Sequence, residues 1–130
     1  MNITLVTVGK IKEKFYRDAV DEFVKRLSRY CKIRIIEVAD ENTPNNAPEA
    51  IEEQIKNKEG ERILKKIERN DFVILFDVQG EMKDSLQFAK FIQNKIDTIN
   101  GNICFVFYHL DIFDKRSGWQ NKNKQIKRIR

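Results

Sequence analysis

The sequence contains very few of the residues that form disulfides and metal sites. Its 130 residues include two cysteines, Cys31 and Cys104, and one histidine, His109. The cysteines are far apart and lack metal-ligand spacing, so we expect two reduced, buried thiols in a cytoplasmic protein. Because only one histidine is present, no metal site is predicted.

The sequence also lacks the patterns of membrane spans, signal peptides and common nucleotide-binding sites. No stretch approaches the roughly 18 consecutive apolar residues that span a membrane. The amino terminus, MNITLVTVGK, has neither a basic leader nor a small-residue cleavage site, so no signal peptide is expected. GxGxxG and GxxxxGK[ST] motifs are missing, which excludes the common dinucleotide and P-loop sites at the level of motif.

The positive charge is concentrated at the end of the chain. The formal net charge is +5, and residues 107–130, with seven basic and two acidic residues, carry the whole excess. Such a segment favours salt-sensitive contacts with phosphates, although a solvated basic end without a partner has the same composition. Trp119, within it, either stacks on a base or packs the segment onto the domain.

Hydrophobic periodicity predicts an alternation of strands and helices. Strands are predicted over residues 2–8, 32–38, 72–76 and 103–107, and helices over residues 14–30, 49–69 and 84–99. The order β-α-β-α-β-α-β predicts an α/β fold with a mostly parallel sheet. No repeat and no domain boundary is evident before residue 107.

Local signals refine the predicted helices. Gly60 lies inside the second helix, where a kink, a break or a close backbone contact is expected. Asp84, three residues before Gln87, resembles a capping box at the start of the third helix. The apolar stripes of the first and third helices are expected to pack on the sheet; they comprise Phe15, Ala19, Val20, Phe23, Val24, Leu27 and Tyr30, and Leu86, Ala89, Ile92, Ile96 and Ile99.

The carboxyl end of the strand at 72–76 is the first candidate for a ligand site, because ligands of open α/β sheets bind beyond such ends. Asp77 suggests a phospho-acceptor, but the first strand ends Thr7-Val8-Gly9-Lys10 without the acidic residues that would hold Mg²⁺. Gly9-Lys10 is either a plain turn or a phosphate contact. His109 is either a surface residue or a general base, with no adjacent serine or cysteine nucleophile.

Four stretches of the chain resemble one family, in order and at similar spacing. They read MNITLVTVGKIKEKF, RLSRYCKIRIIEVADE, KEGERILKKI and VQGEM. On these stretches, residues 1–106 are similar to the RlmH family, the small SPOUT-superfamily methyltransferases of large-subunit ribosomal RNA. The resemblance implies a SPOUT-like fold and a homodimer that transfers methyl from S-adenosylmethionine to N3 of a pseudouridine in ribosomal RNA, without a metal.

The resemblance also implies two cofactor-binding positions, whereas it assigns no catalytic residue. Phe76 stands at the end of the central strand, where the family usually has leucine, and a backbone contact there survives the change. Tyr108 stands at a glycine of the family's IGGSxG loop, and His109 replaces the next glycine. Since glycine lets the backbone approach the cofactor without a Cβ, we expect Tyr108 to obstruct the site.

Residues 107–130 depart from the family pattern. The LSxSxM loop, the PHQ helix and the terminal YHK of the family have no counterpart before Arg130. We therefore predict a SPOUT-like domain over 1–106, a divergent basic tail over 107–130, and an incomplete trefoil knot. So abrupt a change resembles a shift of reading frame or a truncation. The alternative function is a non-catalytic RNA-binding protein that uses the basic tail.

Overall fold

The computed structural model describes the backbone of residues 1–42, 44–99, 101–107 and 126–129, and their side chains except at 77–79 and 126–129. The elements are β1 (Asn2–Val8), α1 (Lys14–Leu27), β2 (Lys32–Val38), α2 (Glu49–Lys66), β3 (Phe72–Glu81), α3 (Ser85–Thr98), β4 (Ile103–Phe107) and β5 (Ile126–Ile129). Three residues singled out in the sequence, Tyr108, His109 and Trp119, lie outside the described residues.

The strands form one sheet in the order β2-β1-β4-β3-β5, and every neighbouring pair is parallel. The predicted fold class and the predicted order of elements through β4 are confirmed. The pairing of β3 with β5 was not predicted, because four residues are too few for a period of two to stand out. The predicted domain division at residue 106 stays a prediction.

The sheet is covered on both faces, which explains the unbroken apolar run in β3. Successive side chains of a strand point to opposite faces. Towards α2, the core consists of Val6, Val38, Ile63, Val73, Leu75, Cys104 and Val106. Towards α3, it consists of Phe72, Ile74, Ile103 and Phe105, packed against Phe88, Phe91, Ile92, Ile96 and Ile99 of the α3 region, among others.

Three local predictions concerned α2 and α3: Gly60, the capping box and the apolar stripe of α3. The helix α2 runs through Gly60 without a break, and this glycine is buried. The capping box is confirmed: Asp84 Oδ1 accepts a hydrogen bond from the Gln87 N–H at 2.8 Å, and Gln87 Oε1 accepts one from the Asp84 N–H at 3.0 Å. The predicted stripe of α3 was partly wrong, since Leu86 is 66% exposed. Phe88 and Phe91 pack on the sheet instead.

The predicted burial of the α1 stripe was wrong for most of its residues. No residue of α1 is buried, and only Val20 and Val24 are even half-buried. Phe15 and Phe23 are each 62% exposed. The helix α1 lies at the β2 edge of the sheet, so only one side of its apolar face contacts a strand. The rest of the stripe extends beyond the sheet.

Candidate functional site

The carboxyl ends of β1 and β4 meet beside Phe76 at one edge of the sheet, and β3 continues past this point to Glu81. In the parallel register Thr7 pairs with Phe107, and Phe107 pairs with Phe76. The turn that starts at Gly9 therefore lies on the same edge as Phe76. This is the position at which open parallel sheets bind ligands, and we take this edge as the candidate site.

The side chain of Phe76 belongs to the core and not to the open edge. Its ring stacks on Phe107, with centroids 4.7 Å apart and planes at 4°, and it also contacts the rings of Phe88 and Phe105. Phe107 is 43% exposed and covers the cluster at the edge. A ligand beside the end of β4 would therefore meet the ring of Phe107 and the backbone of β3 at Phe76.

The turn after β1 is occupied by contacts within the fold. Gly9 has φ +79°, and its N–H donates to the carbonyl oxygen of Val38 at 2.9 Å. A positive φ is a conformation that glycine adopts without steric cost. Because this N–H already has a partner, the geometry favours the plain turn over the phosphate contact at Gly9.

The loop after β2 is fixed to α2 at its first residues. Arg62 donates from Nη1 to the carbonyl oxygen of Ala39 at 2.8 Å, and its Nη2 forms an ion pair with Glu41. The Glu41 N–H in turn donates to Glu59 Oε2 at 3.4 Å. Sequence reasoning missed these contacts, which join residues about twenty positions apart and have no local pattern.

Two titratable groups with shifted pKa values lie away from this edge. Burial raises the pKa of Asp71 above its ordinary 3.8, and its Oδ2 accepts a hydrogen bond from the Glu68 N–H at 2.9 Å. Burial, and then the charge of Asp71, raise the pKa of the Cys104 thiol to about 12. Such a thiol stays protonated at neutral pH and is not a nucleophile. Both groups belong to the packing of the sheet.

Within the described part of the chain, no group of three or more His, Cys, Asp and Glu side chains is placed to hold a metal ion. Among the same residues, no helix has the length and apolar character needed to cross a bilayer. The side chain of Asp77 lies outside the described residues, so its role is not assigned.

Comparison with known proteins identifies the family. A family model described as "Predicted SPOUT methyltransferase" matches residues 1–107. The chain belongs to the SPOUT methyltransferase family. The resemblance predicted from the sequence is confirmed, and the parallel α/β sheet is consistent with the fold of this family.

Relatives with known names agree with this assignment. The chain is 56% identical over 106 residues to the ribosomal RNA large subunit methyltransferase H of Clostridium beijerinckii, a match that covers 82% of this chain and 67% of the relative. Proteins with the same name from Clostridium botulinum and Clostridium perfringens are 52% and 54% identical over 106 residues, with the same coverage. The names of these relatives therefore agree with the methyltransferase description of the family model.

The matched region ends where β4 ends. The family model stops at Phe107, so it includes β1 to β4, α1 to α3 and the position of Phe76. Tyr108, the second predicted cofactor position, lies outside both the matched region and the described residues. The segment outside the match is also the one that carries the excess positive charge.

Proposed function

We propose that this chain is an S-adenosylmethionine-dependent methyltransferase that modifies N3 of a pseudouridine in large-subunit ribosomal RNA, as a cytoplasmic homodimer. The observation that carries the proposal is the match over residues 1–107, which includes four strands of the sheet and the edge where their carboxyl ends meet. The substrate comes from the printed names of the relatives and from the RlmH resemblance.

The candidate edge fits a cofactor held mainly by backbone groups. The ring of Phe76 is turned into the aromatic cluster with Phe88 and Phe105, so this side chain does not fill the space beyond the end of β4. The Phe107 ring lies at the rim, where a nucleoside base can stack on it. S-adenosylmethionine would supply an electrophilic methyl group, and the protein's part would be to hold the base nitrogen in line with it.

Two measurements test the proposal together. Isothermal titration with S-adenosylmethionine measures cofactor binding, and mass spectrometry of large-subunit ribosomal RNA incubated with the chain and cofactor measures methylation of the pseudouridine. The Clostridium beijerinckii relative is the positive control in both. Methylation above the no-enzyme background but weaker than that of the relative is expected, because Tyr108 is predicted to obstruct the cofactor. A chain that yields none while the relative is active would contradict the proposal.

A second candidate function is RNA binding without catalysis. The observation that favours it is the position of the excess positive charge, since seven basic residues and no acidic ones lie in residues 115–130, outside the family match. Basic residues in such a segment would make phosphate contacts whose affinity falls steeply with salt. The double substitution Lys122→Gln with Lys124→Gln should then lower the salt slope of binding to a ribosomal RNA hairpin by about two. Binding with this behaviour and no methyl transfer would favour the second candidate.

A further inference from the structure

Basic side chains are concentrated where the chain leaves β1 and enters α1. Residues 9–17 contain one acidic residue, Glu13, and four basic residues, which are Lys10, Lys12, Lys14 and Arg17. All four basic residues are exposed. The segment therefore presents a positively charged surface to solvent.

The three lysines of this segment take no part in the ion pairs of the described residues. Those ion pairs involve other cations, namely Arg26, Arg34, Arg62 and Lys83. Among the same residues, no carboxylate lies within ion-pair distance of the lysine ammonium groups, and no aromatic ring covers them. Their charge is therefore available to an external partner.

The position of Lys14 runs against the electrostatics of a helix. The N-terminus of an α-helix carries partial positive charge, so acidic residues stabilise its first turn and basic residues its last. The helix α2 follows this rule, with Glu49 and Glu52 in its first turn. The helix α1 begins with Lys14 and has no acidic residue in its first turn. A cation that lowers helix stability without a partner in the fold indicates a role outside folding.

The lysines follow the carboxyl end of β1 at the candidate edge. In the register of β1 and β4, Thr7 pairs with Phe107, and the turn at Gly9 begins two residues later. The Gly9 N–H donates to the carbonyl oxygen of Val38 at 2.9 Å, which fixes this turn to the end of β2. Lys10 is the next residue, so the lysine segment starts on the β1 side of the candidate edge.

The spacing of the lysines suits a strand that carries several phosphates. The chain extends by at most ~3.5 Å per residue, so the Cα atoms of Lys10 and Lys14 are no more than ~14 Å apart. One strand of a nucleic acid duplex carries a charge about every 3.4 Å along its axis. The segment thus faces a short run of successive phosphates. The Asp40 carboxyl group, beside Gly9, would repel a phosphate from the turn itself and direct the strand towards α1.

We propose that Lys10, Lys12 and Lys14 form a phosphate-binding surface that holds the RNA backbone next to the candidate edge. The inference rests on the proposed function for the identity of the RNA and adds the surface that binds the strand. Phosphate contacts are independent of sequence, so they position the RNA and leave the choice of base to the edge.

Binding of the full chain to a ribosomal RNA hairpin tests the surface. Fluorescence anisotropy measures the affinity between about 50 and 200 mM salt. The triple substitution Lys10→Gln, Lys12→Gln and Lys14→Gln should lower the slope of log K against log salt by about two to three. The Kd at the low-salt end should rise at least ~10-fold.

The matched control removes the same charge from another part of the chain. It is the triple substitution Lys58→Gln, Lys65→Gln and Lys66→Gln, at exposed lysines of α2. Because both triple variants lose three positive charges, any long-range effect of net charge is the same in each. The α2 variant should change the slope by less than about one.

Folding and RNA binding should respond to Lys14→Gln in opposite directions. The substitution removes a cation from the first turn of α1, so the melting temperature should stay the same or rise while the affinity for RNA falls. A melting temperature that falls together with the affinity would assign Lys14 a structural role and overturn the inference.

The remaining outcomes separate this surface from the rest of the proposed function. No RNA binding by the unaltered chain, or a loss in the lysine variant no greater than in the α2 control, would overturn the inference. Weaker binding of S-adenosylmethionine by the lysine variant with RNA binding unchanged would assign the lysines to the cofactor and overturn it too. Methylation is scored on the unaltered chain. RNA binding through these lysines without methyl transfer would contradict the methyltransferase and support the surface.

Discussion

The rings of Phe76 and Phe107 stack with their centroids 4.7 Å apart and their planes at 4°. The two residues are partners in the β3–β4 register, so the contact joins the carboxyl end of β4 to the middle of β3 at the candidate edge. Phe76 alone continues into the core. The exposed ring of Phe107 therefore closes the aromatic cluster from the side on which a ligand would lie.

Phe107→Ala should weaken this edge of the sheet. The variant loses one stacked pair and part of the apolar burial of a half-exposed ring, and we expect a loss of about 1–2 kcal/mol in the free energy of unfolding. Urea denaturation followed by circular dichroism measures it. Leu86→Ala is the control, because Leu86 is 66% exposed and should cost far less. Equal effects of the two variants would show that the stack contributes nothing.

Gly101→Ala should be destabilising, because Gly101, between α3 and β4, lies close to the backbone of Asn70. A Cβ at position 101 would lie 2.5 Å from the carbonyl oxygen of Asn70, and the backbone ahead of β3 or β4 would have to move. Overpacking of this kind costs about 1–3 kcal/mol. Asn102→Ala is the adjacent control, since its carbonyl, which accepts from the Phe72 N–H at 2.8 Å, is retained. A melting temperature unchanged by Gly101→Ala would contradict the contact.

The bounds of β1, β2 and β4 could be predicted from sequence because each is a short stretch rich in β-branched or aromatic residues. The packing of α1 could not, because periodicity shows that a helix has an apolar face and does not show what covers it. Phe88 and Phe91 were missed for a related reason: the predicted stripe began at Leu86, whereas the first turns of α3 face the sheet with the phenylalanines. The contact from Arg62 to Ala39 depends on tertiary structure and leaves no local signal.

The candidate site was predictable to a similar extent. The predicted order of strands and helices implies that ligands bind at the carboxyl ends of the strands. The resemblance supplied Phe76 as a cofactor position. The stacking of Phe76 on Phe107 needed the parallel register of β3 and β4, which the order of elements alone does not give. The role of Tyr108 stays a prediction.

Asp71 should make stability depend on pH. Burial raises the pKa of this carboxyl group above 3.8 in the folded chain, so the folded state holds the proton more tightly than the unfolded state. The stabilisation is complete below the ordinary pKa of 3.8 and is lost as pH rises through the raised value. Asp71→Asn removes this dependence and keeps an acceptor for the Glu68 N–H.

The measurement is the difference in unfolding free energy between Asp71→Asn and the unaltered chain, from urea titrations between pH 3.5 and pH 7. We expect the difference to shift in favour of the asparagine variant as pH rises. Glu53→Gln is the control, because Glu53 is an exposed carboxylate of α2 that is not among the groups that shift the pKa of Asp71. A difference that is constant with pH would show that Asp71 titrates normally.

Tyr108→Gly should raise the affinity for S-adenosylmethionine. The RlmH resemblance aligns this position with a glycine that lets the backbone approach the cofactor, and on that prediction a tyrosine would place a Cβ and a ring in the way. We expect the Kd measured by isothermal titration to fall by about tenfold or more, which corresponds to 1.4 kcal/mol. Tyr108→Phe is the control, because it keeps the bulk of the ring and should leave the Kd unchanged. Micromolar binding by the unaltered chain, with no gain in the glycine variant, would show that Tyr108 does not obstruct the cofactor.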